Sequence, residues 1–300
     1  MAVLLAAISV LCVSLSHAIT YDETRYFGTT GKPEWNTGLI GWVTVTENDN
    51  GKRWVFESNG IPDHDTGEFP IPGKGNPNAI LEQAYKQGVM KDPEIAADSS
   101  CLPMGPIGMA VNGLPLFNPW NSDFDNAVDG STRERFDLCQ GHPDSKGRYH
   151  YHQQPSECLF KIIPGVPSPI IGVAYDGFAI YGPVDENGKT LKSADLDECH
   201  GRFRADGVYQ YHTTDDFPYI LGCFTGTPMI NVGGNNCHKA SEADENGNLP
   251  KAAVVEEEDI HVDNTVVHRN VEPRIPLNLW QRRLPKGYME WLYSKRVFRS

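Results

Sequence analysis

The chain has 300 residues, 39% of them hydrophobic and 22% charged, with a mean hydropathy of −0.42. That balance fits a soluble globular protein with a sizeable core and excludes wholesale disorder, collagen and coiled coil. With 26 basic against 39 acidic side chains the formal charge is −13, which leaves no general attraction to nucleic acid or anionic membrane.

An apolar run, Ala2 to Val13, followed by small residues at Ser16 and Ala18, reads as a signal peptide over residues 1–18. The run falls short of the roughly 20 apolar residues of a spanning helix, so a secreted, extracellular protein without a membrane span is expected. Removing Cys12 with the leader leaves six cysteines, and their even number in an oxidising compartment predicts three disulfides. No Cys-x-x-Cys spacing favours a thiolate zinc site, and no Asn-x-Ser/Thr acceptor occurs.

Residues 19–99 read as N-terminal β hairpins and loops. Strands over Leu39–Thr46 and Arg53–Phe56 flank an Asn48-Asp49-Asn50-Gly51 turn, a hairpin signature. Asp, Pro and Gly dominate Pro62 to Pro77, a loop region, and Asn78 to Met90 offers a short helical pattern. Strand-like runs return at Ile107–Phe117 and Ile170–Tyr181, with a further turn at Asp185-Glu186-Asn187-Gly188. Residues 240–300 change character, from an acidic linker containing Glu256-Glu257-Glu258-Asp259 to a basic, aromatic end; it is read as an extended segment packing back across the body.

Residues 100–239 contain an internal repeat. RFDLCQGHPDSKGRYHYH (135–152) aligns without gaps to DLDECHGRFRADGVYQYH (195–212), with seven identities. Upstream, GMAVNGLPLFNP from Gly108 matches GVAYDGFAIYGP from Gly172 in pattern. Each unit reads as a hairpin with an Asn-Gly or Asp-Gly turn, a cysteine-held loop and a tyrosine-rich strand ending in histidine. The expected fold is mainly β: two related β units across a pseudo-two-fold axis, forming one disulfide-linked domain with few short helices. Repeat logic pairs Cys139 with Cys158, Cys199 with Cys223, and Cys101 with Cys237.

Five histidines, His142, His150, His152, His200 and His212, fall inside or beside the repeated segments. If Tyr149-His150-Tyr151-His152 is extended, both imidazoles point to one face and both phenols to the other. His-x-His on a strand is a two-nitrogen chelate suited to transition metals. His212 occupies the place equivalent to His152, while His142 and His200 lie on the preceding loops. All five are therefore candidate metal ligands. A single histidine is more often a hydrogen-bonded core or surface residue, and it is the clustering that shifts the balance. An all-imidazole set in an oxidising compartment points to copper, with zinc second. Asp123, Asp125 and Asp129 crowd one loop but lack the EF-hand pattern, so a solvated turn is expected rather than calcium.

GPIGMAVNGLPLFNP, FDLCQGHPDSKGRYHYH, IGVAYDGFAIYGP, LDECHGRF and YQYHTTDDFPYILGCFTG resemble, in that order, the YHYH-domain family, over roughly residues 100 to 230. The resemblance implies a secreted β-rich domain more than an activity. Where many members resemble a second Tyr-His-Tyr-His, this chain has Tyr209-Gln210-Tyr211-His212, which removes one potential ligand. Three functions are carried forward. The first is an extracellular metal-binding protein. The second is an acidic structural component of an extracellular or mineralised matrix, with matrix proteins or a mineral surface as partners. A metal-dependent oxidase or hydrolase comes last, because Gly-x-Ser-x-Gly, His-Glu-x-x-His, P-loop and Rossmann patterns are all missing.

Overall fold

The computed structural model describes residues 19–71, 76–155, 158–234 and 236–251. The expected leader and the basic, aromatic end lie outside the described residues. Among those described, no helix is long and apolar enough to cross a membrane.

One short helix, α1 (Tyr21–Thr24), opens the described chain, capped by Thr20, whose side chain accepts from the Glu23 amide. Strands β1 (Val43–Asn48) and β2 (Arg53–Ser58) then form the predicted hairpin, Asn48 facing Arg53 across the turn. Asp49, Asn50 and Gly51 all take positive φ there, as the Asn/Asp/Gly run requires. The predicted helix over Asn78–Met90 does not form. Its second half is instead β3 (Tyr85–Met90), antiparallel to β2 from Ser58↔Tyr85 to Arg53↔Met90. An isolated helix of that length is marginal in water, whereas the strand completes the free edge of β2 and buries Val89 fully.

The remaining strands are β4 (Ile95–Ser100), β5 (Leu102–Pro103), β6 (Pro106–Ala110), β7 (Pro115–Phe117), β8 (Gly141–Pro143), β9 (Tyr149–Tyr151), β10 (Ile170–Ala174), β11 (Ala179–Tyr181), β12 (Gly201–Phe203), β13 (Tyr209–His212), β14 (Phe224–Gly226) and β15 (Cys237–His238). Eight of them make one sheet in the order β12-β13-β11-β10-β6-β7-β9-β8. The two repeats occupy its two sides in mirrored order and meet where β6 and β10 pair antiparallel. In each half a hairpin is followed by a strand that returns parallel to its second arm, β9 on β7 and β13 on β11. The hairpin loops match bond for bond. Gly113 donates to the Ala110 carbonyl and Ala110 to that of Leu114, as Gly177 does to Ala174 and Ala174 to Phe178. Gly113 and Gly177, at φ 83° and 99°, supply the left-handed residue such three-residue loops need.

The central strands are buried on both faces, which is why they read as unbroken apolar runs. Met109, Ile170 and Val173 join Trp54, Phe56 and Val89 of the three-stranded sheet β1-β2-β3 in one apolar cluster. Ile107, Leu116, Ile171, Phe178 and Ile180 join Tyr149, Tyr151, Tyr209 and Tyr211 in the larger one. Three disulfides form with the predicted pairing: Cys139–Cys158, Cys199–Cys223 and Cys101–Cys237. Residues 240–251, grouped by composition with the C-terminal segment, pack into the body. Leu249 is buried, and the Gly247 carbonyl accepts from the Trp120 indole at 3.0 Å.

Candidate metal centre

The repeated motif builds the same scaffold twice. Asp137 accepts from the amides of Cys139 (2.9 Å) and Gly141 (3.2 Å) and from the Tyr149 hydroxyl (2.6 Å). Asp197 does so from Cys199 (3.0 Å), Gly201 (3.0 Å) and Tyr209 (2.9 Å). The carboxylate thereby fixes the turn after it and ties it to the tyrosine-rich strand. Glycine is required at the turn's end because the tyrosine lies over it. A Cβ on Gly141 would come 2.4 Å from the Tyr149 ring and one on Gly201 2.1 Å from the Tyr209 oxygen. The inner tyrosines find partners further in. Asn112 donates to Tyr151 at 3.2 Å, and Tyr211 donates to Asp176 at 2.6 Å. These contacts account for the tyrosines, Asp, Cys and Gly of the repeat as structural residues.

On the opposite face of β9, strand alternation brings His150 and His152 to one side, and the β8–β9 register sets His142 directly across from His150. All three are buried. The Nε2 atoms of His142 and His150 are 3.0 Å apart, as are those of His150 and His152. His150 Nδ1–H donates to the Arg148 carbonyl at 2.8 Å and His152 Nδ1–H to the Asn118 carbonyl at 2.6 Å. A carbonyl oxygen can only accept, so in the neutral rings the proton is on Nδ1 and Nε2 presents a lone pair. Burial, followed by repulsion from neighbouring rings, pushes His150 well below the ordinary histidine range and holds His142 at about 3; burial takes His152 to about 4. The rings are therefore neutral at physiological pH, and the Nε2 lone pairs of His150 and His152 face each other across 3.0 Å with no proton between them.

His142 differs from its partners. Its Nδ1 faces the Asn76 amide nitrogen at 3.1 Å and a Glu134 carboxylate oxygen at 3.4 Å rather than a carbonyl. Phe117 stacks on His150 with centroids 3.8 Å apart, and Phe136 meets His142 edge-on at 5.0 Å. The three imidazoles line a cleft of about 570 Å³ whose walls include Asn76, Trp120, Asn121 and Glu134.

The second half places its residues otherwise. Arg202 stands across from Gln210 where His142 faces His150, and it ion-pairs with Glu186 at 2.6 Å. Gln210 donates its side-chain amide to His212 Nε2 at 2.8 Å, while His212 Nδ1–H donates to the Gly182 carbonyl at 2.8 Å. His200 donates through Nδ1 to the Ile220 carbonyl at 2.9 Å and meets Ser193 and Thr214 hydroxyls through Nε2, both at 3.0 Å. Each ring has an ordinary protein partner at both nitrogens.

Of the five histidines expected to act together, the fold thus brings three to one point, all from the first repeat. His200 and His212 are not in that group, so a centre drawing ligands from both halves does not form among the described residues. Two other groupings, His64 with Cys139 and Cys158, and Glu198 with Cys199 and Cys223, consist mainly of cysteines already spent in disulfides. Sequence reasoning missed Glu134, Asn76 and the Asn118 carbonyl around the triad. It also missed His64, whose Nε2 lies 2.6 Å from the Tyr151 hydroxyl. Glu134, between two arginines just upstream of the repeat, carried no spacing signal. Asp125, in the acidic loop, is paired with Lys251 at 2.9 Å, and Asn121 accepts from the amides of Asp123 and Asp125, in keeping with a turn.

Residues 88–189 and 184–226 match a family model described as YHYH protein. Over these residues, a little under half of the chain, the sequence has the pattern of a YHYH domain. No curated protein and no solved structure matches it. Within this YHYH domain, the first Tyr-His-Tyr-His carries the clustered imidazoles, and the second copy, Tyr-Gln-Tyr-His, does not.

Proposed function

We propose that this YHYH protein is a secreted, extracellular metal-binding protein whose ion is held by Nε2 of His142, His150 and His152, with copper as the preferred ion and zinc as the second choice. The observation that carries the reading is the pair of lone pairs facing each other at 3.0 Å in a buried, neutral cluster. Without a cation the arrangement is repulsive, and His142 can lend at most one Nε2 proton to it. Two nitrogens bound about 2.0–2.1 Å from one ion lie about 3 Å apart, so the spacing suits a shared metal. The Nδ1–H bonds to carbonyls are the outer contacts that usually orient ligating histidines.

The second repeat supports the reading from within the same chain. The nitrogen equivalent to His152 Nε2 is met there by an amide N–H from Gln210, an ordinary hydrogen bond. Imidazole-only ligation favours copper or zinc over magnesium or calcium, and copper stands highest in the Irving–Williams order. Three disulfides fit an oxidising compartment. An acidic matrix component is the second reading, favoured by the −13 charge; it predicts loose calcium adsorption in place of tight copper or zinc. Elemental analysis and copper and zinc titration of protein purified without a histidine tag test this. About one ion per chain is expected, retained in His200→Ala/His212→Ala and lost in His150→Ala/His152→Ala. Equal uptake by both double variants would refute the ligand assignment.

A further inference from the structure

We infer that the cleft above the three imidazoles is a binding site for a small organic carboxylate, whose anionic head meets the bound ion and is steadied by Arg133 and Arg135. This rests on the metal reading and extends it to the ligand. Three neutral imidazoles leave a divalent ion its full charge, so a further ligand drawn from the cleft is favoured if it is an anion.

The walls divide into charged and apolar parts. Among the charged groups, Arg148 is bound to Asp144 at 2.5 Å, and Glu134 is directed at His142. Asp123 is exposed on the rim. Arg133 and Arg135 also line the cleft and are exposed, and neither has a carboxylate partner among the described residues. They are thus free to pair with an incoming anion, and arginine's planar fork suits a carboxylate. Met104, Phe117 and Trp120 are the apolar part of the same cleft's lining. A cleft of about 570 Å³ has the size of a small-molecule site, and this mixture of aromatic wall and a few charged groups is the usual make-up of one. A ligand with an apolar body and one carboxylate uses both parts; inorganic phosphate uses only the second.

The test uses the full protein loaded with Cu(II), followed by electron paramagnetic resonance and visible absorption during titration with benzoate and, in a parallel arm, phosphate. Saturable perturbation of the copper signal by benzoate is expected, with affinity weakened roughly tenfold in Arg133→Ala/Arg135→Ala and unchanged in the Arg25→Ala charge control. Circular dichroism and copper stoichiometry verify each variant's fold, and Arg133→Gln/Arg135→Gln, which keeps the side-chain bulk, must weaken benzoate likewise. No response to benzoate in copper-loaded protein, or equal affinity in the double variants, overturns the carboxylate site and leaves the metal reading standing. Phosphate binding as tightly as benzoate overturns the choice of an organic ligand. Failure of the wild-type protein to take up copper or zinc removes the metal reading and this inference together.

Discussion

Replacing His150 by glutamine turns the first repeat into the second, and the energetics can be worked from the two halves. In metal-free protein the change removes the Nδ1–H bond to the Arg148 carbonyl, worth about 0.5–1.5 kcal/mol net, and the stacking on Phe117, worth a further ~0.5–1.5 kcal/mol. A glutamine amide placed as Gln210 is would donate to His152 Nε2, the bond seen at 2.8 Å on His212. That bond restores about 0.5–1.5 kcal/mol and relieves a buried acceptor left without a donor, a penalty of about 1–3 kcal/mol. Gains and losses cancel to within about 1 kcal/mol, whereas His150→Ala supplies no donor to His152 Nε2 and leaves a cavity, and should destabilise by about 2 kcal/mol. With copper or zinc at a hundred times Kd, wild-type protein gains about 2.7 kcal/mol, a rise of about 5–10 °C in melting temperature for a body of this size. His150→Gln should show no such rise. Thermal melts and urea titrations, with chelator and with metal, measure both quantities. A metal-induced rise in His150→Gln equal to that of wild type would refute the triad. A loss in chelator as large as that of His150→Ala would refute the lone-pair argument.

Three further outcomes follow from the same geometry. Stability of the metal-free protein should fall as pH drops from about 6.5 towards 4. In that window the unfolded chain protonates histidines that burial keeps neutral in His142, His152 and His200, held at about 3, 4 and 4. Asp176, raised to about 6 chiefly by burial, and Glu134, also raised by burial, work in the opposite direction but are two groups against six lowered histidines, so a flat or rising profile in chelator would contradict the burial assigned to the rings. Gly141→Ala and Gly201→Ala should each cost about 1–3 kcal/mol in denaturant titration, because the added Cβ meets a tyrosine at 2.4 and 2.1 Å. Only the first should weaken metal binding, and an effect of Gly201→Ala on metal affinity would speak against two independent halves. Arg202→His/Gln210→His should raise the metal content from about one to about two ions per chain, since it places imidazoles at the positions equivalent to His142 and His150. Unchanged stoichiometry in a folded variant would show that the halves are less alike around those strands than their registers indicate.

Much of this arrangement is legible in the chain itself. Alternation along Tyr149-His150-Tyr151-His152 separates imidazoles from phenols for any extended strand, because successive side chains point to opposite faces. Parity and repeat logic pair six cysteines, and Asn-Gly and Asp-Gly mark the two hairpin turns, since a left-handed residue is needed there and glycine supplies it. Local pattern was insufficient for Asn78–Met90. The conformation of its second half, Tyr85–Met90, is decided by the free edge of β2, a partner that no short window of sequence contains. The same limit applies to the histidines. Composition and repetition gather five, but which of them meet depends on the β8–β9 register, on the Arg148 and Asn118 carbonyls that turn each Nε2 inward, and on Gln210 closing the equivalent point in the other half. Which side chains a strand offers to one face follows from the backbone's two-residue period and is written in the sequence. Which nitrogens converge is set by cross-strand pairing and long-range hydrogen bonds, and exists only once the sheet has closed.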